Sequence, residues 1–569
     1  MTYSAPIKEM QFLLRTVLGA DRLSATERFA EATSDMSEAI LSEAAKLADT
    51  VIAPLNRKGD LDPARLENGV VRTSEGFAEG YAAIAEGGWI GMSADPAHGG
   101  MGLPMTLTTC VNEMLASGCL SLSLNPLMSQ GQIEALEHHG DAAMQELYLP
   151  KLISGEWTGT MNLTEPQAGS DVGALRTKAV PNGDGTYAIT GQKIFITWAD
   201  HDMAENICHL VLARLPDGVA GTKGISLFLV PKFLPTEDGK PGVGNSLKVV
   251  SLEHKLGLHG SPTAVMDYAG ATGWLVGKPH GGMAAMFTMM NNARLGVGVQ
   301  GLAQAEAAYQ TALAYSLDRT QGRSPIEGGT GTILDHADVR RMLMVMKAQT
   351  AVARAICLDT AFSLDMARAG QGDEWAARGA FLTPIAKAFG TDTGCQVAEL
   401  GVQVHGGMGF IEETGAAQFY RDVRVTTIYE GTNGIQAMDL VGRKLMDGGD
   451  AARALLGEVA ATVSSATAHA ELAAGLKAAH DTLAVGLDAM LGSAANDRFA
   501  TATSFLRAFA LTLGGHYLLK GAIESGDADR LALARFLILR MLPEVGALCA
   551  AIPLGADDLY ALSAEALGA

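Results

Sequence analysis

The sequence predicts an α+β chain that is mainly helical, with a block of short strands set between two helical regions and a further helical block at the end. Three observations carry this expectation. Apolar residues recur at helical intervals from Ser34 to Ile153 and again from Gly281 to about Leu445. Between these regions, ICHLVLARL (207–215), ISLFLVP (225–231), LKVVSL (247–252) and AVMDYA (264–269) are short, apolar and bounded by turn residues. Finally, the run Met446-Asp-Gly-Gly-Asp450 marks a linker, beyond which an Ala/Leu-rich helical block continues to Ala569. The implied division is an N-terminal arm over 1–34, a helical domain over 35–160 and a β-domain over 161–278. A second helical domain follows over 279–446, and a helical extension over 451–569.

Taken in order, the arm places Met10, Leu13, Leu14, Val17 and Leu18 on one helical face, which reads as packing onto the main body. Ser37-Glu38 and Ser42-Glu43 open the apolar-periodic runs of the first helical region, and Pro54, Pro96 and Pro104 punctuate it. Its Gly-rich segment, Gly87 to Pro104, reads as a turn between helices. The texture changes at Met161, where MNLTEPQAGSDVGALRTKA forms a loop. TYAI-TG-QKIFIT, with Gly191 at the turn, reads as a β-hairpin, and the short strands that follow complete a β-domain of roughly a hundred residues. In the second helical region Leu295, Val299, Leu302, Tyr309 and Leu313 form a stripe running toward Arg319. Val339, Met342, Leu343 and Met346 form another, whose methionines read as core. Gly296, Gly298 and Gly301 satisfy GxGxxG literally. A dinucleotide site would need a strand before them and an acid ending a second strand about twenty residues on. Helical periodicity flanks them on both sides instead, so they read as allowing close helix packing.

The chain has 569 residues, 48 % of them apolar, and can bury a sizeable core. Its net charge of −20 argues against nucleic acid or an anionic membrane surface as main partner. The six cysteines, at 110, 119, 208, 357, 395 and 549, show no CxxC and no metal-type spacing, so they read as small buried hydrophobes and no metal site is expected. Residues 1–25 lack the pattern of a signal peptide. No uncharged run reaches the length of a membrane span, since even LALARFLILRMLPEV carries Arg535, Arg540 and Glu544. The expected location is cytoplasmic. The sequon at Asn162-Leu163-Thr164 reads as chance.

The chemistry concentrates in Val402–Gln436, VQVHGGMGFIEETGAAQFYRDVRVTTIYEGTNGIQ. One carboxylate, Glu430, ends a run of β-branched and aromatic residues, Val423, Val425, Thr426, Thr427, Ile428 and Tyr429, broken only by Arg424. An acid among apolar neighbours is costly to ionise, so its pKa rises toward the range useful to a general base. Gly431, Gly434, Gly406 and Gly407 let backbone approach a planar or phosphorylated ligand. Read alone, the stretch is a buried strand-to-helix turn with a capping acid.

IYEGTNGIQ, with Arg421-Asp422 before it and Q-x-x-GG-x-G at Gln403 to Gly409, resembles the C-terminal signature of the acyl-CoA dehydrogenase flavoproteins. TEPQAGSD (164–171) resembles that family's TEP-x-AGSD motif, and the Gly87–Pro104 segment its GW-x-G…GG-x-G turn near the acyl pocket. Arg319-Thr-Gln-Gly-Arg323 resembles its R-x-Q-FG segment without the Phe. The resemblance implies the family's fold, an N-terminal helical domain, a middle β-domain and a C-terminal helical domain, here with an extra helical C-terminal domain. It also implies FAD as cofactor. Leu163 and Thr164 would then hydrogen-bond the flavin ring, Ser170 would face the FAD pyrophosphate and the CoA, and Thr197 would hold the ring near its N5. Phe195 stands where many relatives have Trp, so it would stack with less area and no indole donor. Gln403, the Gly406–Gly407 pair and Thr432 would line the FAD site. Arg319 and Gln321 would reach the FAD diphosphate of a neighbouring subunit, for which a guanidinium is suited. Arg294, Tyr429 and Gly431 would border the substrate. Some relatives carry the catalytic Glu directly before the Arg that matches Arg294; here Ala293 is there, so Glu430 is the candidate base.

The reaction implied is α,β-dehydrogenation of an acyl-CoA thioester. The Glu430 N–H and an FAD ribityl hydroxyl would bind the thioester carbonyl, Glu430 would take the α-proton, and the β-hydrogen would pass as hydride to the flavin. An electron-transferring flavoprotein would accept the electrons, and the expected assembly is a homodimer or dimer of dimers. The arm and Ile333–Ile356 resemble a longer-chain branch that includes 3-methylmercaptopropionyl-CoA dehydrogenases and broad-range fatty acyl-CoA dehydrogenases. Candidate substrates are therefore 3-methylmercaptopropionyl-CoA and short- or medium-chain fatty acyl-CoAs. The alternatives are an acyl-CoA oxidase passing electrons to oxygen, or a flavin-bearing, nucleic-acid-protecting relative. The mildly acidic extension argues against the latter. Nitroalkane oxidation is weaker, since that branch has Asp at the position of Glu430.

Overall fold

The computed structural model describes residues 3–568, so Met1, Thr2 and Ala569, at the ends of the expected arm and extension, lie outside it. Two units separate by compactness, one of Ser42–Ala293, the other of Pro6–Leu41 with Arg294–Ala569.

The first unit joins helices, among them Phe77–Glu86, Met105–Gly118, Leu120–His139 and Ala142–Ser154, to a seven-stranded sheet. In that sheet Thr263–Val276 pairs with Tyr187–Thr197, which pairs with Lys178–Pro181. Lys178–Pro181 joins Asn206–Arg214, and Ile225–Pro231 pairs with both Asn206–Arg214 and Thr263–Val276, so five strands close on themselves. Trp157–Asn162 adds a parallel strand to Asn206–Arg214, and Leu247–Leu252 extends the other side. Closure leaves few unpaired edges and encloses a core of Ile189, Val211, Phe228, Val230, Met266 and Tyr268.

The expected hairpin at Gly191 is not formed. Tyr187–Thr197 is one continuous strand, and the turn lies earlier, at Asn182–Gly185, where Gly183 and Gly185 hold φ of +89° and +91°. Gly191 serves close approach: a Cβ there would lie 2.4 Å from Thr177 Oγ1. The same strand carries a bulge. Ile196 pairs with Ala264 and Lys193 with Met266, so Ile194 and Phe195 together face Val265. Phe195 takes a left-handed φ of +60° and its ring turns outward, 59 % exposed.

The second unit is helical, with no strand among the described residues. The helix Gly282–Asp318, from Arg294 onward, packs with Ala337–Arg368 and Asp373–His405 around Ala305, Ala308, Met342, Leu343, Met346, Val397 and Val404. The glycines of the literal GxGxxG do what the periodicity implied. A Cβ on Gly298 would meet the Ala386 carbonyl oxygen at 2.5 Å, and one on Gly301 the Gly390 oxygen at 2.3 Å. Helix axes meet closely because the glycines face the backbone of Ala386–Thr391.

The arm packs against the extension. Met10, Leu13, Leu14, Val17 and Leu18 are all buried, with Phe12 and Val17 seated where Gly521 of the Ala495–Ser525 helix leaves room. Lys520 Nζ donates to the Val17 carbonyl at 2.6 Å, and the Arg530 guanidinium lies 3.3 Å from the Phe12 ring centroid while pairing with Glu9. A buried network fastens the extension to the preceding helices: Asp359 accepts from Arg378 at 2.6 Å and from the Tyr517 hydroxyl at 2.5 Å. Among the described residues, one stretch, Ala528–Leu554, is long and apolar enough to cross a membrane by length and composition. It is interrupted by the π-helical turn Leu537–Met541 and Pro543, and three of its charges are paired, Arg530 with Glu9, Arg535 with Glu471 and Glu544 with Arg507. All six cysteines are free, and no cluster of metal-ligating side chains occurs among the described residues.

Candidate active site

The run before Glu430 is not a strand. The helix Ala416–Val423 leads into a 3₁₀ turn at Arg424–Thr427. No sheet exists among this unit's described residues for a strand to join, so local bonds satisfy the backbone instead. The Thr426 hydroxyl donates to the Val423 carbonyl at 2.6 Å, and the Ile428 N–H to Val425 at 2.8 Å. Glu430 and Gly431 then adopt left-handed φ of +55° and +80°. For a glutamate this is a strained conformation, held only where its surroundings over-determine it. The Thr432 hydroxyl accepts from Ile435 N–H to open the helix Asn433–Asp439, and Gln436 Nε2 donates to the Glu430 carbonyl at 3.0 Å.

The Glu430 side chain ends in a buried oxygen, Oε2, that has no hydrogen-bond partner among the described residues. Burial raises its pKa to about 7, against the opposing charges of Arg294 and Lys387. Arg294, itself buried, pairs with Asp439 at 3.2 Å and leaves its Nε unpartnered. Tyr429 donates its hydroxyl to Gln300. Lys387, fully buried on the helix Asp373–His405, donates to the Gly431 carbonyl at 2.8 Å and to Asn433 Oδ1 at 2.9 Å.

The structure thus brings Arg294, Tyr429, Gly431 and Thr432 around Glu430, and adds Lys387, Gln300, Asn433 and Gln436, which sequence reasoning missed. Lys387 had a signal: it is the lone charge between Arg378 and Asp392, in an otherwise apolar run. Gln403, Gly406 and Gly407 are not in this cluster. Gln403 lies sixteen residues beyond Lys387 on the same helix, about 24 Å away at the helical rise, and Gly406 and Gly407 follow that helix's last residue, His405. There His405 stacks on Tyr315 at 4.4 Å, one turn before Arg319, so the Gln403–Gly407 end and the Arg319–Gln321 end form a second cluster. Arg319, Gln321, Gln403, Gly406 and Gly407 are all exposed, and a Cβ on either glycine would meet nothing within 4 Å.

In the first unit Leu163 and Thr164 sit beside the bulged strand. The Ile194 N–H donates to the Thr164 carbonyl at 2.9 Å, and Lys193 Nζ to that of Leu163 at 2.9 Å. Ser170 is exposed further along the loop, and Thr197 pairs with Thr263 at the end of the strand. Beneath the loop, Glu165 and Lys193 form a buried ion pair of 2.9 Å that the sequence did not announce. Burial alone would raise the Glu165 pKa. The Lys193 charge and the amides of Arg176 and Thr177 hold it at about 2.

Comparison with known proteins identifies the class. Residues 34–156, 160–269 and 280–446 match the family models of the N-terminal, middle and C-terminal domains of acyl-CoA dehydrogenases. Residues 455–563 match the model described as acetyl-CoA dehydrogenase C-terminal like. The chain belongs to the acyl-CoA dehydrogenase family, whose members are FAD-dependent enzymes that oxidise acyl-CoA thioesters and pass the electrons to an electron-transferring flavoprotein. It is 48 % identical to the 3-methylmercaptopropionyl-CoA dehydrogenase of Ruegeria pomeroyi, over 87 % of this chain and 86 % of that one. It is 35 % identical to a broad-specificity linear acyl-CoA dehydrogenase of Mycobacterium tuberculosis, over 83 % and 80 % of the two chains. The fold is shared with Caenorhabditis elegans ACDH-11, solved in complex with C11-CoA, at a TM-score of 0.78 and 21 % identity, covering 98 % of this chain and 96 % of that one.

The residues present fit a flavin nucleotide. An aromatic ring held outward by a backbone bulge offers a stacking surface, and the open Gly406–Gly407 backbone admits a ligand at close range.

Proposed function

We propose that this enzyme dehydrogenates 3-methylmercaptopropionyl-CoA or a short- or medium-chain fatty acyl-CoA at the α,β-position, with Glu430 as the base. The observation that carries the base is the buried, unpartnered Glu430 Oε2: a carboxylate oxygen without an internal partner is free to accept a substrate proton. FAD, when bound, supplies the acceptor for the β-hydrogen. Leu163, Thr164, Phe195 and Thr197 would orient the ring, while Ser170, Gln403, Gly406, Gly407, Thr432, Arg319 and Gln321 would hold the rest of the cofactor. Arg294, Tyr429 and Gly431 would border the thioester, and the Glu430 N–H would donate to its carbonyl. The 48 % identity over most of both chains supports the sulfur-containing substrate.

An electron-transferring flavoprotein as acceptor, a homodimer or dimer of dimers, and a cytoplasmic location complete the proposal. Exposed Met408, Phe410 and Ile411, with Phe410 85 % exposed, support a second copy covering the end that carries Gly406 and Gly407.

An anaerobic screen of flavin bleaching across short-, medium- and long-chain acyl-CoAs and 3-methylmercaptopropionyl-CoA tests the substrate. The sulfur compound or a short-to-medium chain should bleach fastest. Preference for long chains would overturn the assignment, and rapid hydrogen peroxide release in air would instead mark an oxidase. Arg319→Ala should weaken FAD retention through dialysis several-fold, by loss of a charge-assisted diphosphate contact. Unchanged flavin content would remove Arg319 from the cofactor site.

A further inference from the structure

We propose that Lys387 is a positioning residue for Glu430: its ammonium pins the left-handed turn that aims the carboxyl group, and its charge opposes the burial that disfavours the carboxylate. This inference rests on the reading of Glu430 as the base.

The geometry is specific. Lys387 is fully buried, yet no carboxylate lies within 4.0 Å of its Nζ among the described residues. Its two hydrogen bonds go to neutral acceptors, the Gly431 carbonyl and Asn433 Oδ1. A buried ammonium without an ion pair is expensive, and an apolar side chain would fill the helix face more stably. The residue therefore does something packing does not require. Its bond to Gly431 falls on the residue directly after Glu430, where the chain is left-handed. Asn433, the second acceptor, is itself anchored: its Nδ2 donates to Asp392 at 2.7 Å and to Thr391 Oγ1 at 3.0 Å. The clamp thus runs from a rigid helix, through a lysine and an asparagine, to two points directly after Glu430.

The charges that face this centre come from several elements. Arg294, on the helix Gly282–Asp318, opposes Glu430 but is committed to Asp439, which also pairs with Arg443. Asp392, on the Lys387 helix, is tied to Asn433 and shares its neighbourhood with Lys387 and Arg424. Tyr429 precedes Glu430 and stays protonated. Lys444 is also near Arg294 and Asp439. Lys387 alone combines a position at the turn with a charge that no ion pair offsets. Removing it should let burial drive the Glu430 carboxyl further toward its neutral form.

Two substitutions separate clamp from charge. Lys387→Gln keeps a donor for Gly431 without the charge, and Lys387→Met removes both. In FAD-replete enzyme, the acid limb of the kcat–pH profile should move up by about one unit in both, with about fivefold lower kcat at pH 7. Only Lys387→Met should also lower the alkaline plateau. Lys387→Arg should leave the limb where it is in the wild type. Difference-infrared titration of the protonated carboxyl band, assigned with Glu430→Gln, should show the same shift independently of turnover. An acid limb and carboxyl titration unmoved in Lys387→Gln would overturn the inference, as would loss of FAD binding in all three variants, which would mark a folding role. Wild-type turnover in Glu430→Gln would sink the base assignment itself, whatever the lysine variants do.

Discussion

Glu430→Gln is expected to yield a yellow, FAD-loaded protein whose turnover falls by at least about 10²–10⁴-fold, the usual weight of a general base. The substitution is isosteric, and Oε2 has no internal partner to lose, so the turn should keep its shape. The Gln436 bond to the Glu430 carbonyl and the Lys387 bond to Gly431 are both made to backbone and survive. The effect should therefore appear in kcat and kcat/KM together, as expected for a group needed in the transition state. Stability should not fall. The Glu430 pKa is raised, so its ionised form is disfavoured by folding at any pH above the ordinary carboxylate range. Replacing it with a neutral amide should hold or raise the denaturation midpoint above pH 7. Near-wild-type turnover, measured with FAD content matched, would remove Glu430 from the mechanism.

Lys193→Met should destabilise the protein by about 3–5 kcal/mol, the usual penalty for breaking one side of a buried pair. Both partners are inside, and Lys193 also holds the Leu163 carbonyl next to Thr164. The variant leaves Glu165 buried with two backbone amides, the Gln167 side-chain amide and no counter-charge. In the wild type the Glu165 pKa is depressed, so its contribution is present above the unfolded carboxylate value and is lost as pH falls toward about 2. In the variant the unpaired carboxyl gains from protonation, so the deficit should be smaller at pH 5 than at pH 7. Urea denaturation at both pH values, with FAD content measured alongside, checks this. A midpoint equal to wild type at pH 7 would mean that the pair does not support the loop.

Much of the fold was legible because it is written locally. Helical periodicity located the long helices, and four of the short strands fall within a residue or two of their expected starts. The GxGxxG of 296–301 was correctly read as helix packing, because its flanks carried the deciding pattern. Two local readings failed for tertiary reasons. Gly191 looked like a turn, but the glycine accommodates Thr177 from the neighbouring chain segment. The β-branched run before Glu430 looked like a strand, but the described residues of its unit contain no sheet to receive one.

By itself, the sequence determined the family, the order of helical and strand regions, and the single carboxylate of IYEGT, since motifs and periodicity are properties of neighbouring residues. Only the tertiary structure decided what surrounds that carboxylate. Lys387 and Gly431 are 44 positions apart, Lys193 and Glu165 are 28, and Lys520 reaches Val17 across 503. No local pattern specifies which buried charge meets which turn. That choice is made when helices and strands pack, because a buried charge or backbone carbonyl must find its partner wherever the fold brings one.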